Sequence, residues 1–392
     1  MSAPAEVLAP FEFGPSGRIL FGRGRAREAA GLATGLGRRI VLVHGARGER
    51  AAWLTADLEA AGAALLAIAC PSEPTLAMLE EALAAARAHR VEVVVALGGG
   101  AAIDLAKALA ALAPGEGAPL DHLEVVGRGL PLGAAPLPML ALPTTAGTGA
   151  EVTRNAVIGV PQEGRKVSLR DPRMVPAIAI VDPALTDGAP RAVTLASGLD
   201  ALSQLVEPFL SLRASPVTDA LVRSALPGGL AALVRLTGED GATEDPGARD
   251  AMAYASLCGG LALAHAGLGG VHALAGVIGG MTRAPHGAVC GALLVPVLER
   301  LRAAATAGSA LEARLGEIDA MAARALGVAP DAALGALEAF VARAGLPRLA
   351  ALGVAPALHE EIARLATSSS SARTSPVAFE ARDYGEILRR GG

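Results

Sequence analysis

Within GLDALSQLVEP, residues 198 to 208, Asp200, Gln204 and Glu207 recur at i, i+4 and i+7 in an otherwise apolar run. That spacing puts three polar side chains on one face of a helix. Such a stripe is either the wet face of that helix or one wall of a metal site. Further along, GLGGVHALAGVIGGMTRAPHG places His272 and His286 in a glycine-rich stretch with almost no charge. Buried imidazoles need partners, and a divalent cation shared with Asp200 would supply one. Taken singly, each histidine reads more readily as a satisfied core residue, and Asp200 as a solvated carboxylate.

A different chemistry is written into VVALGGGAAIDLAK, residues 94 to 107, where Gly98, Gly99 and Gly100 separate a buried strand from a helix. A turn without side chains lets backbone N–H groups approach a diphosphate, and the helix N-terminus adds favourable partial charge. The spacing is neither GxGxxG nor a Walker A loop. A second turn, PTTAGTGAEVT at 143 to 153, follows the next strand. Two such turns at the C-terminal ends of parallel strands predict one crevice, where open α/β sheets bind nucleotides.

The elements that must position these residues follow from pattern. Apolar strands are expected at 38 to 45, 63 to 70, 91 to 100, 137 to 145 and 177 to 183, with helices near 51 to 62, 75 to 89 and 101 to 113. This alternation predicts βαβ units and a parallel sheet. FEFGPSGRILFG, residues 11 to 22, reads as a short hairpin around GPSG. After residue 186 the strand signals stop and Ala/Leu helical patterns continue through 215 to 236, 248 to 265, 291 to 307, 309 to 326 and 331 to 345. Two domains are therefore expected, 1 to 185 and 186 to 392.

Composition narrows the class. With 392 residues, 52% hydrophobic and only 2% aromatic, the core must be built from Leu, Val and Ala. A formal charge of −4 leaves no basic footprint, so neither nucleic acid nor an anionic membrane is an expected partner. Cys70, Cys258 and Cys290 form no CxxC pair and read as buried thiols of a reducing compartment. The opening MSAPAEVLAPFEF lacks the basic and apolar regions of a signal peptide, which makes the cytoplasm the expected location. From Ala251 to Thr282 no Asp, Glu, Lys or Arg occurs, long enough for a membrane helix. Its glycines, His265 and His272 favour buried helices lining a cleft.

The motifs together resemble the iron-containing, or group III, alcohol dehydrogenases, a family that includes maleylacetate reductases and lactaldehyde, glycerol and butanol dehydrogenases. GGGAAIDLAK is similar to the family's GGGSxxDxAK, and PTTAGTGAEVT to its second cofactor loop. IVDPALT resembles the end of its nucleotide domain, and GLDALSQLVE with VHA and PHG its metal motifs. They occur in the family's order across about residues 11 to 300, and PVAFEARDYGEIL resembles its C-terminal helix. The resemblance implies a Rossmann-like α/β nucleotide-binding domain followed by an all-α domain, the dehydroquinate synthase-like architecture. It implies NAD or NADP as cofactor and a divalent metal, Fe or Zn. Gly98, Gly99 and Gly100 would cradle the pyrophosphate, with Asp104, Thr144, Thr145, Thr148 and Lys166 bordering the nucleotide. Asp200, His272 and His286 would ligate the metal, with Gln204 in the position of a fourth ligand that is usually histidine. Lys166, His265 and His272 are the candidate catalytic residues.

The departures carry weight. Ala101 replaces the common Ser of the glycine loop, and Gly276 stands where many members have a second histidine. VLVHGARGER lacks the Asp that discriminates against a 2'-phosphate, and Arg47 and Arg50 follow closely, so NADP is admitted. The implied activity is interconversion of a small alcohol and its aldehyde or ketone by a homodimer. Two alternatives stay open. One is a metal-independent reductase of the maleylacetate type, with Arg154, Lys166, Arg170 and Arg283 holding a dicarboxylate. The other is an inactive nucleotide-binding homologue, suggested by Gln204 and Gly276. The related glycerol-1-phosphate dehydrogenase and dehydroquinate synthase group fits PTTAGTGAEVT less well.

Overall fold

Strands rich in Val, Leu and Ala on both faces need cover on both faces, and a parallel sheet between helical layers supplies it. The computed structural model describes residues 11–14, 17–238 and 244–392. Strands β1 (Arg18–Phe21), β2 (Arg39–Gly45), β3 (Ala64–Cys70), β4 (Val93–Gly98) and β5 (Met139–Pro143) belong to one sheet. A hairpin of β6 (Asn155–Val160) and β7 (Arg165–Arg170) stands apart from it, and β8 (Ile178–Val181) returns to it. The sheet order is β1-β8-β5-β4-β2-β3, with every neighbouring pair parallel.

Helices α1 (Ala29–Thr34) and α2 (Ala52–Ala60) cover one face, and α3 (Leu76–Ala88) and α4 (Gly100–Leu112) the other; α5 (Pro119–His122) is a single turn. Alternation along the strands sorts the side chains. Ile40, Leu42, Val93, Val95, Leu140 and Leu142 pack with α1 and α2. Val41, Val43, Val94, Ala96 and Ala141 pack with α3 and α4. Because β3 and β4 flank β2 on opposite sides, the winding direction reverses between β2 and β4. At such a reversal the loops at the strand C-termini diverge and leave a crevice. Gly45 and Gly98 end those two strands.

The second half is helical: α6 (Arg191–Leu210), α7 (Pro216–Thr237), α8 (Pro246–Ala266), α9 (Gly270–Met281), α10 (His286–Ala304), α11 (Ala310–Leu326), α12 (Ala333–Arg343), α13 (His359–Ala366) and α14 (Ala381–Gly391). Helix α6 is the hub, packed against α7, α8 and α10, and nearly all its residues from Gly198 onward are buried. Side-chain caps fix several starts: Ser215 accepts from the Thr218 amide and Ser309 from Glu312. The uncharged stretch 251–282 becomes α8 and α9, bent by 97° at a short break that Gly267, at φ +78°, makes possible. Among the described residues α7 is the single unbroken helix long and apolar enough to cross a membrane; here it packs on α6 and α8, and its Asp219 pairs with Arg314 of α11.

One sequence expectation fails. Residues 11–14 form no strand, and β1 is not half of a hairpin but an edge strand parallel to β8, in register Arg18↔Ile178 to Phe21↔Val181. The Arg18 amide donates to the Ala177 carbonyl at 2.9 Å, which docks the chain directly onto the sheet. Alternation there reports a strand with one covered face, a signal shared by hairpins and sheet edges. Pro15 and Ser16 of the expected turn, and the leader reading of residues 1–10, lie outside the described residues.

Candidate active site

Between β4 and α4 the chain passes Gly98, Gly99 and Gly100, and the turn after β5 lies directly on it. The Thr144 amide donates to the Gly98 carbonyl at 3.0 Å. A Cβ on Gly99 would lie 3.2 Å from Thr145 Oγ1, and one on Gly100 2.7 Å from Thr148 Cγ2. The two loops lie so close that a methyl at Gly100 would overlap Thr148 and one at Gly99 would crowd Thr145, so glycine is a packing requirement at Gly100. The first-turn N–H groups of α4 have no partner within the helix and face the crevice end of the sheet. Gly98, Gly99, Gly100, Thr144, Thr145 and Thr148 are thus brought together.

Asp104 lies one turn into α4 with its carboxylate on the Val157 amide at 3.1 Å and Lys107 Nζ at 3.2 Å. Burial holds its carboxyl above the usual range, against the pull of Lys107 and of His286. Lys107 is fully enclosed, donates to Thr153 Oγ1 at 2.9 Å, and is lowered by the same desolvation. Nearby Glu151 is pushed up to about 7 by burial. Of this group behind the crevice only Asp104 was singled out from sequence; Lys107 and Glu151 were not, because DLAK and AEVT are far apart in the chain. Lys166, on β7, pairs with Glu73 and lies against Gly279 of α9.

The second cluster is held by three helices. Asp200 and Gln204 project from α6, His272 from the first turn of α9, and His286 opens α10 behind Pro285. Asp200 Oδ1 lies 3.2 Å from His272 Nε2 and 3.8 Å from His286 Nε2. Cys290, one turn after His286, places Sγ 3.6 Å from His286 Nε2 and 3.8 Å from His272 Nε2. Ligand atoms of Asp200, His272, His286 and Cys290 all lie within 4.8 Å of one another. Gln204 Nε2 donates to Asp200 Oδ1 at 3.1 Å, while its Oε1 is buried without a hydrogen-bond partner.

Glu207 completes the stripe on α6. Its Oε2 accepts from His272 Nδ1 at 2.6 Å and its Oε1 from the Val271 amide at 2.7 Å. That turns His272 Nε2, 3.2 Å from Asp200 Oδ1, toward the cluster with its lone pair. Burial pulls His272 down, but Cys290, Glu207 and Asp200 together hold it well above the ordinary histidine value. The charge of Cys290, against burial, raises His286 to about 9. Buried Asp200 is nonetheless lowered by His286, His272 and Gln204. A carboxylate, two imidazoles and a thiol sulfur within 4.8 Å of one another fit a divalent cation in chemistry and in spacing.

The structure brings Asp200, Gln204, His272 and His286 together, as the spacing suggested, and leaves two other candidates apart. His265 stacks on Phe13 with ring centroids 3.9 Å apart, and its nitrogens meet the carbonyls of Leu261 and Gly14. It belongs to the seam between α8 and the N-terminal segment. Lys166 contacts α9 two turns from His272, not the cluster. Gly276 sits one turn after His272, and a Cβ there would meet nothing within 4 Å. Sequence reading missed Cys290 and gave Glu207 no role. The signals were present: Cys290 is i+4 from His286 and Glu207 is i+7 from Asp200, each on the face of a residue already chosen.

A parallel doubly wound sheet with a crevice at its switch point, joined to a helical domain carrying an Asp/His/His/Cys cluster, defines a two-domain nucleotide and metal fold. The family model for iron-containing alcohol dehydrogenase matches residues 15–183, and that for the Fe-containing alcohol dehydrogenase family, C-terminal, matches residues 194–391. The chain belongs to the iron-containing alcohol dehydrogenase family. Alcohol dehydrogenase 4 of Saccharomyces cerevisiae is 39% identical over 223 residues, 57% of this chain and 56% of that protein. Long-chain-alcohol dehydrogenase 1 of Geobacillus thermodenitrificans is 39% identical over 234 residues, 60% of this chain and 58% of that protein. The chain thus spans less than two thirds of the length of these curated relatives. Among solved structures, a 1,3-propanediol oxidoreductase superposes with a TM-score of 0.87 at 28% identity, covering 98% of this chain and 100% of the other. A sulfoacetaldehyde reductase from Bifidobacterium kashiwanohense in complex with NAD+ gives 0.82 at 25% identity, covering 97% and 98%.

Proposed function

We propose that this chain is an NAD(P)-dependent oxidoreductase that interconverts a small alcohol and its aldehyde or ketone by hydride transfer, assisted by a divalent metal. The observation that carries the reading is the convergence of Asp200, His272 and His286 in a buried cluster within electrostatic reach of Asp104, at the base of the glycine crevice. When bound, the nicotinamide supplies the hydride and the metal supplies Lewis-acid polarisation of the carbonyl oxygen. Gly98, Gly99 and Gly100 leave the α4 N-terminus open to the diphosphate, and Thr144, Thr145 and Thr148 wall the crevice. Asp200, His272 and His286 would hold the metal, with Gln204 beside Asp200. Glu207 orients His272. Gly276, exposed and with nothing within 4 Å of an added Cβ, leaves the side of α9 one turn after His272 open. It offers no side-chain proton donor, so the proton would be exchanged with water.

The two curated relatives named above are alcohol dehydrogenases, which supports the same reaction class. A dicarboxylate clamp has less support, because Lys166 and Arg170 are already paired with Glu73 and Glu124. Arg47 and Arg50 follow β2 at the crevice and are exposed, which admits NADP beside NAD. The same reading takes residues 1–185 and 186–392 as the two domains, and a cytoplasmic homodimer as the working form, acting on small molecules without nucleic acid or membrane. The test is oxidation of NADH and of NADPH against a panel of small aldehydes and ketones. Turnover with at least one pair supports the proposal. Tight binding of both nucleotides with no turnover across the panel rejects it in favour of an inactive homologue.

A further inference from the structure

We propose that the Cys290 thiolate is the fourth protein ligand of the metal and that Gln204 is a positioning residue for Asp200. This rests on the reading of the cluster as a metal site. Two side chains compete for the fourth corner, and three observations separate them.

The first is geometry. Donor atoms about 2.0–2.3 Å from a tetrahedral zinc lie about 3.3–3.6 Å from one another. Four edges of the Asp200, His272, His286 and Cys290 set measure 3.2, 3.8, 3.6 and 3.8 Å, and every ligand atom lies within 4.8 Å of the others. Sγ closes the figure opposite the carboxylate, in contact with both imidazoles. The second is the orientation of Gln204. Its Nε2 donates to Asp200 Oδ1, the oxygen that faces both histidines, so the end of the amide nearest the cluster is a donor that cannot bind a cation.

The third is donor strength. A thiolate is an anionic, soft donor toward a dication, whereas an amide oxygen is a neutral and weaker one. Ligation releases the thiol proton to solvent and forms an S–metal bond, with no change of oxidation state. Cys290 is itself fully buried, and the other two cysteines, Cys70 and Cys258, are not in the cluster. A thiolate is softer than imidazole or carboxylate, so this set selects zinc over ferrous iron.

The experiment is titration of metal-depleted full-length protein with cobalt(II), followed in the near ultraviolet and the visible, for the wild type, C290S, C290A and Q204A. A sulfur-to-cobalt charge-transfer band is expected in the wild type and in Q204A, and it is absent from both Cys290 variants while their visible cobalt bands persist. Zinc affinity, measured by competition with a chromophoric chelator, falls at least about 10-fold in C290S. Cobalt bound at one per chain in the wild type without the charge-transfer band overturns the inference and leaves the metal-assisted reading standing. Loss of binding in Q204A with an undiminished site in both Cys290 variants likewise overturns it, in favour of the amide. Wild-type protein that takes up neither cobalt nor zinc overturns both.

Discussion

The crevice at the ends of β4 and β5 is shaped by side chains that are missing, and the cluster in the helical half by side chains that are dense. At Gly100 the Thr148 side chain occupies the space where a Cβ would go, at Gly99 Thr145 crowds it, and recognition is left to backbone amides. Around Asp200 four ligand-type side chains from three helices converge, and Glu207 and Gln204 hold them from behind. The first device depends on conformation and tolerates little volume; the second depends on charge and tolerates little chemical change. Damage to one should therefore leave the other measurable.

The largest separation is expected from His272→Ala. Removing a ligand together with its contacts to Asp200 and Glu207 should abolish stoichiometric metal and cut turnover by about 1000-fold, while nucleotide affinity, read by fluorescence titration, stays near wild type. If nucleotide binding collapses as well, the two regions are not independent.

On the crevice side, Glu151 gives a stability signature. Its folded-state value of about 7 lies above the ordinary 4.5, so its contribution is fully present below pH 4.5 and lost as pH rises through 7. The span corresponds to about 3 kcal/mol. Glu151→Gln should remove that slope and melt at higher temperature than wild type at pH 8, with metal content unchanged. Equal pH profiles would show that the carboxyl is not desolvated.

Gly100→Ala presses a methyl group onto Thr148. The overpacking costs about 1–3 kcal/mol, and the KM for the nicotinamide cofactor should rise roughly 10- to 100-fold with metal binding intact. Its counterpart in the cluster is Glu207→Gln, which weakens the orientation of His272 and should lower metal affinity about 10- to 100-fold without touching the cofactor KM. The smallest effect belongs to Gly276→Ala: with open space around it, the added methyl should stabilise α9 by about 0.5–1 kcal/mol, read as a small rise in Tm. A fall in Tm would mean that the space beside His272 is not open.

The same contrast explains what could be read in advance. The glycine turns, the parallel sheet and the helical second half were legible because each is local: a buried run, a turn without side chains, an Ala/Leu period. Asp200, His272 and His286 were legible as residue types in recognisable spacing. Cys290 was not, since a lone cysteine in an apolar helix looks like a small hydrophobe until α9 folds beside α10. The pairing of Glu207 with His272 spans 65 residues and depends on the packing of α9 against α6. His265 misled for the complementary reason: a histidine at a glycine-rich helix end resembles a site residue, yet its partners are Phe13 and the Gly14 carbonyl. The β1 edge strand shows the limit of alternation, which reports a covered face without naming the neighbour.

The central claim is that the cluster holds a metal that works on the substrate of the crevice. The most direct test is metal content of protein purified without chelator, paired with NAD(P)H oxidation on a reactive aldehyde before chelation, after it, and after zinc or ferrous iron is restored. The account predicts one metal per chain, turnover lost with the metal and recovered with it. Metal-free protein turning over at the undiminished rate would contradict it, and Asp200, His272 and His286 would then be substrate-pocket residues of a metal-independent reductase.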